Sequence, residues 1–280
     1  MVGRFLFLLL SGVIMESCAN PTNGIKPYVE SFKKNTPGNF NVYKSDNKTM
    51  SFAFAGSAEN APIVFVHGSP GSWDGWAQFL ESEELKKNFQ ILVPDRLGYG
   101  GSNYGVPEKS LAKQAQSMMD VLQFNKSGRK AILVGHSYGG PVVVKMAIDH
   151  PDKIAGIILV AASVDPKLEI TRWFQYPASW WPIRYLIPKF LMVCNEEILP
   201  LQDELEKMAP EWSKLQVPVI SIHGTKDDLV PIGNQDFEEK NVPPQFWSKK
   251  YRLEGMNHFI PWRQPEVIFQ GIKDLSEKKE

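Results

Sequence analysis

A serine hydroxyl is a weak nucleophile at neutral pH. It attacks carbon when a neighbouring base takes its proton and a third group holds that base in one tautomer. The sequence places a serine in a setting suited to this chemistry, Gly135-His136-Ser137-Tyr138-Gly139-Gly140. Gly-x-Ser-x-Gly puts the serine on a sharp turn, and glycines flank it because a Cβ there collides with the adjoining strand and helix. Ser137 is therefore the expected nucleophile. The alternative is a glycine-rich strand-to-helix turn without chemistry, and the rest of the chain decides between the two.

Five histidines compete for the role of base. His67 and His223 precede glycines at strand ends, His136 lies inside the serine turn, and His150 stands before Pro151 at a helix end, each with an ordinary structural explanation. His258 alone sits in a loop after the last expected strand, so it is the expected base. The acid should come from another loop on the same edge. Asp227, after the strand ending at Ile222, is the expected partner, with Asp228 its immediate rival and Asp165 a more distant one. Asp95 is set aside: the run Leu97-Gly98-Tyr99-Gly100-Gly101 behind it favours a turn in which its carboxylate accepts loop NH groups.

These residues need a scaffold that brings separate loops to one edge. Apolar runs at 61–66, 89–93, 131–134, 154–162 and 217–222 read as buried strands, joined by an alternating edge strand at 49–55 and a last strand near 246–253. Helical spacing marks 73–85, 110–124, 141–148 and 232–240. Strands alternating with helices imply a mostly parallel sheet with helices on both faces, an α/β fold. From 165 to 216 the rhythm breaks into aromatics and prolines without a clear strand. That stretch is expected to be a mostly helical cap over the carboxyl edge of the sheet, with 49–164 and 217–280 forming the core.

At this point the chain resembles the α/β-hydrolase superfamily from about residue 49 to 276. The pieces that carry the likeness are His67-Gly68-Ser69-Pro70-Gly71-Ser72, Asp95-Arg96-Leu97-Gly98-Tyr99-Gly100, the Ser137 turn, Gly224-Thr225-Lys226-Asp227 and His258-Phe259. The order serine, acid, histidine is that of this superfamily, and the resemblance favours Asp227 over Asp228. An acyl-transfer site must also stabilise an oxyanion. The backbone NH of Tyr138, just after the nucleophile, is one expected donor; Pro70 has no NH, so Ser69 is the other, a position the resemblance also picks out. A serine nucleophile argues against haloalkane dehalogenase and epoxide hydrolase chemistry, which the similar His-Gly-x-Pro loop would otherwise allow.

The expected activity is that of a carboxylesterase acting on an apolar small-molecule ester, without metal or organic cofactor. Trp173, Trp180 and Trp181 in the cap are candidates for holding the apolar group, against the simpler reading that they form the cap's own core. Glu196, Glu197, Asp203, Glu204 and Glu206 raise a second possibility, because proline iminopeptidases, similar in loops and cap, hold a substrate ammonium with cap carboxylates. Against it stands the plainer expectation of a solvated helix face. A non-catalytic surface-binding lipoprotein is the reading outside enzymology.

Composition bounds the partners. With 31 basic and 31 acidic residues in 280, nothing suggests nucleic acid. Arg4 followed by the apolar run Phe5 to Met15 reads as a signal sequence over 1–17. Met15-Glu16-Ser17-Cys18 resembles a loose bacterial lipobox, with Cys18 as the lipidated residue and membrane attachment as its consequence. Cleavage after Ala19, giving a periplasmic or secreted protein, is the rival. Residues 18–48 are expected to be a tether. With two cysteines in the chain, no disulfide framework or cysteine metal site is expected.

Overall fold

The computed structural model describes residues 26–45 and 47–277. The signal sequence and Cys18 lie outside the described residues. Eight strands form one sheet: β1 (Phe40–Ser45), β2 (Lys48–Ala55), β3 (Ala61–Val66), β4 (Phe89–Pro94), β5 (Ala131–His136), β6 (Ile154–Val160), β7 (Val219–Gly224) and β8 (Trp247–Leu253). Their order is β1-β2-β4-β3-β5-β6-β7-β8. β1 and β2 are antiparallel, as are β2 and β4; every other pairing is parallel.

The apolar runs of β3 to β7 are buried on both sides because each face carries its own hydrophobic layer. Along β3, Val64 and Val66 enter the layer under helix Gly139–Asp149, while Ile63 and Phe65 enter the opposite one with Trp76, Phe79, Ile268 and Ile272. That alternation is the period-two rule of a strand.

Topology creates the crevice. The chain runs from β3 out to β4, then crosses back over β3 to β5, so loops leaving the carboxyl ends of β3 and β5 diverge at this switch point, where open α/β sheets bind ligands. The parallel register sets Val66 beside Gly135. The His67-Gly68-Ser69 loop and the Ser137 turn therefore start side by side. At the other end, Gly224 of β7 pairs with Leu253 of β8, which launches the Asp227 and His258 loops together.

Two expectations change. The tether gives way from Lys26 onward to a helix, Lys26–Asn35, and to edge strand β1. Phe32 is fully buried in the second layer and meets Phe40 and Trp73 edge-on or tilted; burying such a ring contributes about 1.5–3 kcal/mol, enough to dock a polar helix. The continuous helix expected over 73–85 is instead a 3₁₀ turn (Trp73–Trp76) and two short helices, Ala77–Leu80 and Glu83–Asn88, the last capped by Ser82.

The segment between β6 and β7 is helical as expected, with Lys189–Ile198 and Leu201–Met208 its longest helices. Its far end is not separate from the core. Leu201, Leu205, Met208, Trp212 and Leu215 belong to the same buried layer as Val142 and Leu159, so the division expected at 216 moves back to about residue 200.

Candidate active site

The serine turn is held by contacts that only glycine permits. Ser137 has φ +53, in the left-handed region that costs an L-residue roughly 1–2 kcal/mol. Its NH donates to Val160 O at 3.0 Å, and its carbonyl accepts from Gly140 N at 2.9 Å, so the strained turn is fixed to β6 and to its own helix. A Cβ on Gly135 would lie 2.4 Å from Gly139 O, one on Gly139 2.3 Å from Val66 O, and one on Gly140 2.3 Å from Ala162 Cβ. These are backbone or close-packed collisions, and they explain why the flanking residues are glycine.

His258 and Asp227 meet across 31 residues of sequence. His258 Nδ1 lies 2.7 Å from Asp227 Oδ2, and both residues are buried. The second oxygen, Oδ1, accepts from the NH groups of Leu229 (3.0 Å) and Val230 (2.8 Å). Burial favours the neutral acid, but hydrogen bonds from His223 and His258 and the Val230 NH outweigh it and hold Asp227 well below the usual carboxylate range. With Nδ1 donating to that carboxylate, Nε2 is the nitrogen free to act as base. Asp228 is exposed, and Asp165 caps a 3₁₀ turn by accepting from Lys167 N, so neither rival approaches the histidine.

Two further histidines support this pair, and sequence patterns gave them structural roles only. His136 Nε2 lies 3.1 Å from the His258 carbonyl, and the two rings are 4.7 Å apart. Burial, then the nearby His258, pushes His136 down to about 3, so it is neutral and donates to that carbonyl. On the far side of Asp227, His223 Nε2 sits 2.9 Å from Val230 O and 3.4 Å from Asp227 Oδ2. For His223, its place near the end of β7, four residues before Asp227, was the available signal.

The loop expected to hold the oxyanion stands directly against Ser137: a Cβ on Gly68 would come within 2.9 Å of Ser137 Cβ. Arg96 holds this loop. Its Nε donates to His67 O and its Nη2 to Gly68 O, each at 3.0 Å, and its backbone NH donates to His67 Nε2 at 2.9 Å. Holding both carbonyls fixes the backbone that leads into Ser69. The side chains also take part. Tyr138 packs its ring 4.4 Å from the Arg96 guanidinium, and Ser69 Oγ is 3.1 Å from Tyr99 Oη, which donates to Glu197 at 2.6 Å. Asp95 is structural, as its sequence context indicated, accepting from Ser51 Oγ, Trp73 N and Gly101 N.

The carboxylates of the inserted segment differ from the solvated face expected of them. Glu197 is fully buried, with both oxygens bound by Arg96 and one also by Tyr99. Glu196 is buried too, paired with Lys109 at 2.5 Å and Arg184 at 3.8 Å. Glu204 is half-buried and accepts from Leu111 N. Only Asp203 and Glu206 face solvent. Trp173, Trp180 and Trp181 are exposed, so they do not form a core for the segment. A cleft of about 350 Å³ does open beside the oxyanion loop, bounded by Pro70, Gly71, Ser72, Tyr99, Tyr104 and Phe190. A larger polar groove of about 550 Å³ around Ser45, Asp120, Arg129 and Lys153 lies at the amino edge of the parallel strands, away from this chemistry.

Sheet order, elbow and paired loops together decide the fold. The chain has the α/β-hydrolase fold. Residues 61–185 match the family model described as alpha/beta hydrolase fold. Among curated proteins, 2-hydroxymuconate semialdehyde hydrolase of Pseudomonas sp. (strain CF600) is 29% identical over 247 residues, covering 75% of this chain and 83% of that one. Among solved structures, a bacterial membrane phospholipase A superposes with a TM-score of 0.67 at 17% identity, covering 99% of this chain and 98% of that chain. The esterase RhEst1 of Rhodococcus sp. ECU1013 gives 0.62 at 19% identity, covering 86% and 100%. At this identity such superpositions speak to the fold.

Proposed function

We propose that this α/β-hydrolase-fold chain is a serine hydrolase that cleaves a carboxylic ester of an apolar small molecule through an acyl-enzyme on Ser137. The observation that carries the reading is the buried Asp227–His258 pair, 2.7 Å apart, delivered by neighbouring strands to the edge where Ser137 is held strained on its elbow.

In this mechanism Ser137 Oγ attacks the ester carbonyl carbon while His258 Nε2 takes its proton. Asp227 keeps Nδ1 protonated and stabilises the imidazolium. The carbonyl oxygen becomes an oxyanion facing the NH groups of Ser69 and Tyr138, each such donor being worth about 2.7–4 kcal/mol. Collapse breaks the ester C–O bond, and the alcohol leaves with the proton held on His258. Water, deprotonated by the same nitrogen, then attacks the acyl-Ser137 and releases the acid. The elbow helix Gly139–Asp149 adds the positive end of its dipole to the oxyanion site.

The aminopeptidase reading loses its main support, because Glu196 and Glu197 are already committed to Arg96, Lys109 and Arg184. The segment from Asp165 to about Pro200 acts as the cap, reaching the oxyanion loop through Glu197. Export, with Cys18 as a lipid attachment, is supported by the apolar run Phe5 to Met15 before it; the mass of the mature N-terminus tests this. A p-nitrophenyl ester series of increasing acyl length tests the activity. Turnover present in the native chain and lost in Ser137→Ala supports it, and equal turnover in that variant refutes it.

A further inference from the structure

One stretch of the surface is unlike the rest. In the inserted segment, Trp173, Trp180, Trp181, Tyr185 and Leu186 are each between 61% and 79% exposed, although isolated apolar exposure is ordinary and a cluster of this kind is not. Apart from the buried Val193, the segment's inward contacts include polar ones: Gln175 Oε1 accepts from Arg172 N, Asn195 Nδ2 donates to Gln175 O, and Glu196 and Glu197 pair with cations. Its one-turn helices, Gln175–Ala178 and Ile183–Leu186, are thereby anchored by polar groups while the large rings are left outside.

Charge identifies what those rings would meet. The chain as a whole is balanced, yet from Ile170 to Asn195 it contains no Asp or Glu and carries Arg172, Lys189 and Arg184, the last also within 3.8 Å of the buried Glu196. Tryptophan and tyrosine are the side chains that settle where an apolar phase meets water, and each Lys or Arg near an anionic bilayer contributes about 1 kcal/mol of attraction. Aromatic rings interleaved with cations and free of carboxylates suit a lipid surface better than a protein partner, whose interface would present carboxylates or a complementary apolar pocket. Phe190, at the end of the same stretch, is 40% exposed and also lines the cleft beside the oxyanion loop. The surface thus borders the cleft that Pro70, Gly71 and Ser72 help to line.

We propose that the Ile170–Phe190 face of the insertion docks on an anionic lipid bilayer, seating Trp173, Trp180 and Trp181 among the headgroups and turning the cleft toward the membrane. Hydrolase activity is not required for this docking. It provides a route by which an apolar molecule leaves the bilayer for the site without crossing water.

Tryptophan emission quenched by lipids brominated along their acyl chains tests the docking directly. Residues 1–25 contain no tryptophan, so attachment through the N-terminus gives no signal of its own. The full chain is mixed with phosphatidylcholine vesicles, with or without phosphatidylglycerol, and compared with the variant Trp173→Ser/Trp180→Ser/Trp181→Ser. Because the three rings are exposed, that variant keeps the native thermal midpoint. Quenching in the native chain on phosphatidylglycerol-containing vesicles, weakened by high salt and lost in the variant, supports the proposal. Equal quenching in native chain and variant overturns it, as does no quenching while the chain sediments with the vesicles. A native dimer in solution that the variant converts to monomer, without quenching, also overturns it and assigns the face to a second copy.

Discussion

Glu197 and Arg96 form a fully buried, bidentate ion pair, with Nη1 to Oε2 at 2.8 Å and Nη2 to Oε1 at 2.9 Å. One residue lies on the inserted segment and the other on the loop after β4. The same guanidinium grips His67 O and Gly68 O, so the pair ties the insertion to the loop that faces Ser137.

Removing one partner strands a buried charge. Glu197→Gln should destabilise the fold by about 3–5 kcal/mol, and chemical denaturation measures it. The double change Arg96→Met with Glu197→Leu should recover most of that stability. It leaves the His67 and Gly68 carbonyls without their donor, so ester turnover should stay low. Full activity in the stable double variant would show that the grip on this loop is immaterial.

Asp227→Asn should lower turnover by about 10⁴-fold, by analogy with the serine-protease triad, because the amide no longer fixes the His258 tautomer. Asp228→Asn, one residue on and exposed, should change it less than twofold. The reverse pattern in steady-state kinetics would assign the acid to Asp228.

Ser137 sits at φ +53, where glycine is at ease. Ser137→Gly should therefore abolish turnover while raising stability by about 1 kcal/mol. Equilibrium unfolding of the variant reads the gain, and a loss of stability would mean that the turn is not strained by its side chain.

Glu238 is fully buried on helix Gly233–Asn241. Burial raises it from 4.5 to about 7 against the opposing pull of Ser221, His223 and Lys250. Below pH 4.5 its carboxyl is protonated in the folded and the unfolded chain. Between pH 4.5 and 7 the unfolded chain releases the proton first, so the folded state binds more protons and stability falls as pH rises. The decline amounts to about 3 kcal/mol. Glu238→Gln should lack it, and unfolding free energies measured across that window in both proteins decide the point.

The sheet, the Ser137 turn and the meeting of Asp227 with His258 were legible in the sequence because each rests on a local signal. Apolar runs mark the buried strands, glycines mark the Ser137 elbow, and loop position sets His258 and Asp227 apart. What stayed hidden depends on pairing between distant residues. Glu197 and Glu196 read as solvent-facing because nothing near them in sequence reveals their partners Arg96 and Lys109, about a hundred and about ninety residues earlier. Helix Lys26–Asn35 reads as a tether because its stability comes from one ring, Phe32, entering a pocket made by Phe40 and Trp73. His136 was placed at the serine turn, but its contact with the His258 carbonyl arises only when β5 and β8 deliver their loops to one edge; His223 meets Asp227 four residues on, a contact that needs only the fold of the loop after β7.

The most direct test is covalent. A fluorophosphonate should label the native chain, peptide mass analysis should place the adduct on Ser137, and labelling should disappear in Ser137→Ala and slow sharply in His258→Ala. An adduct on another residue, or undiminished labelling of Ser137→Ala, would contradict the assignment of Ser137 as an activated nucleophile.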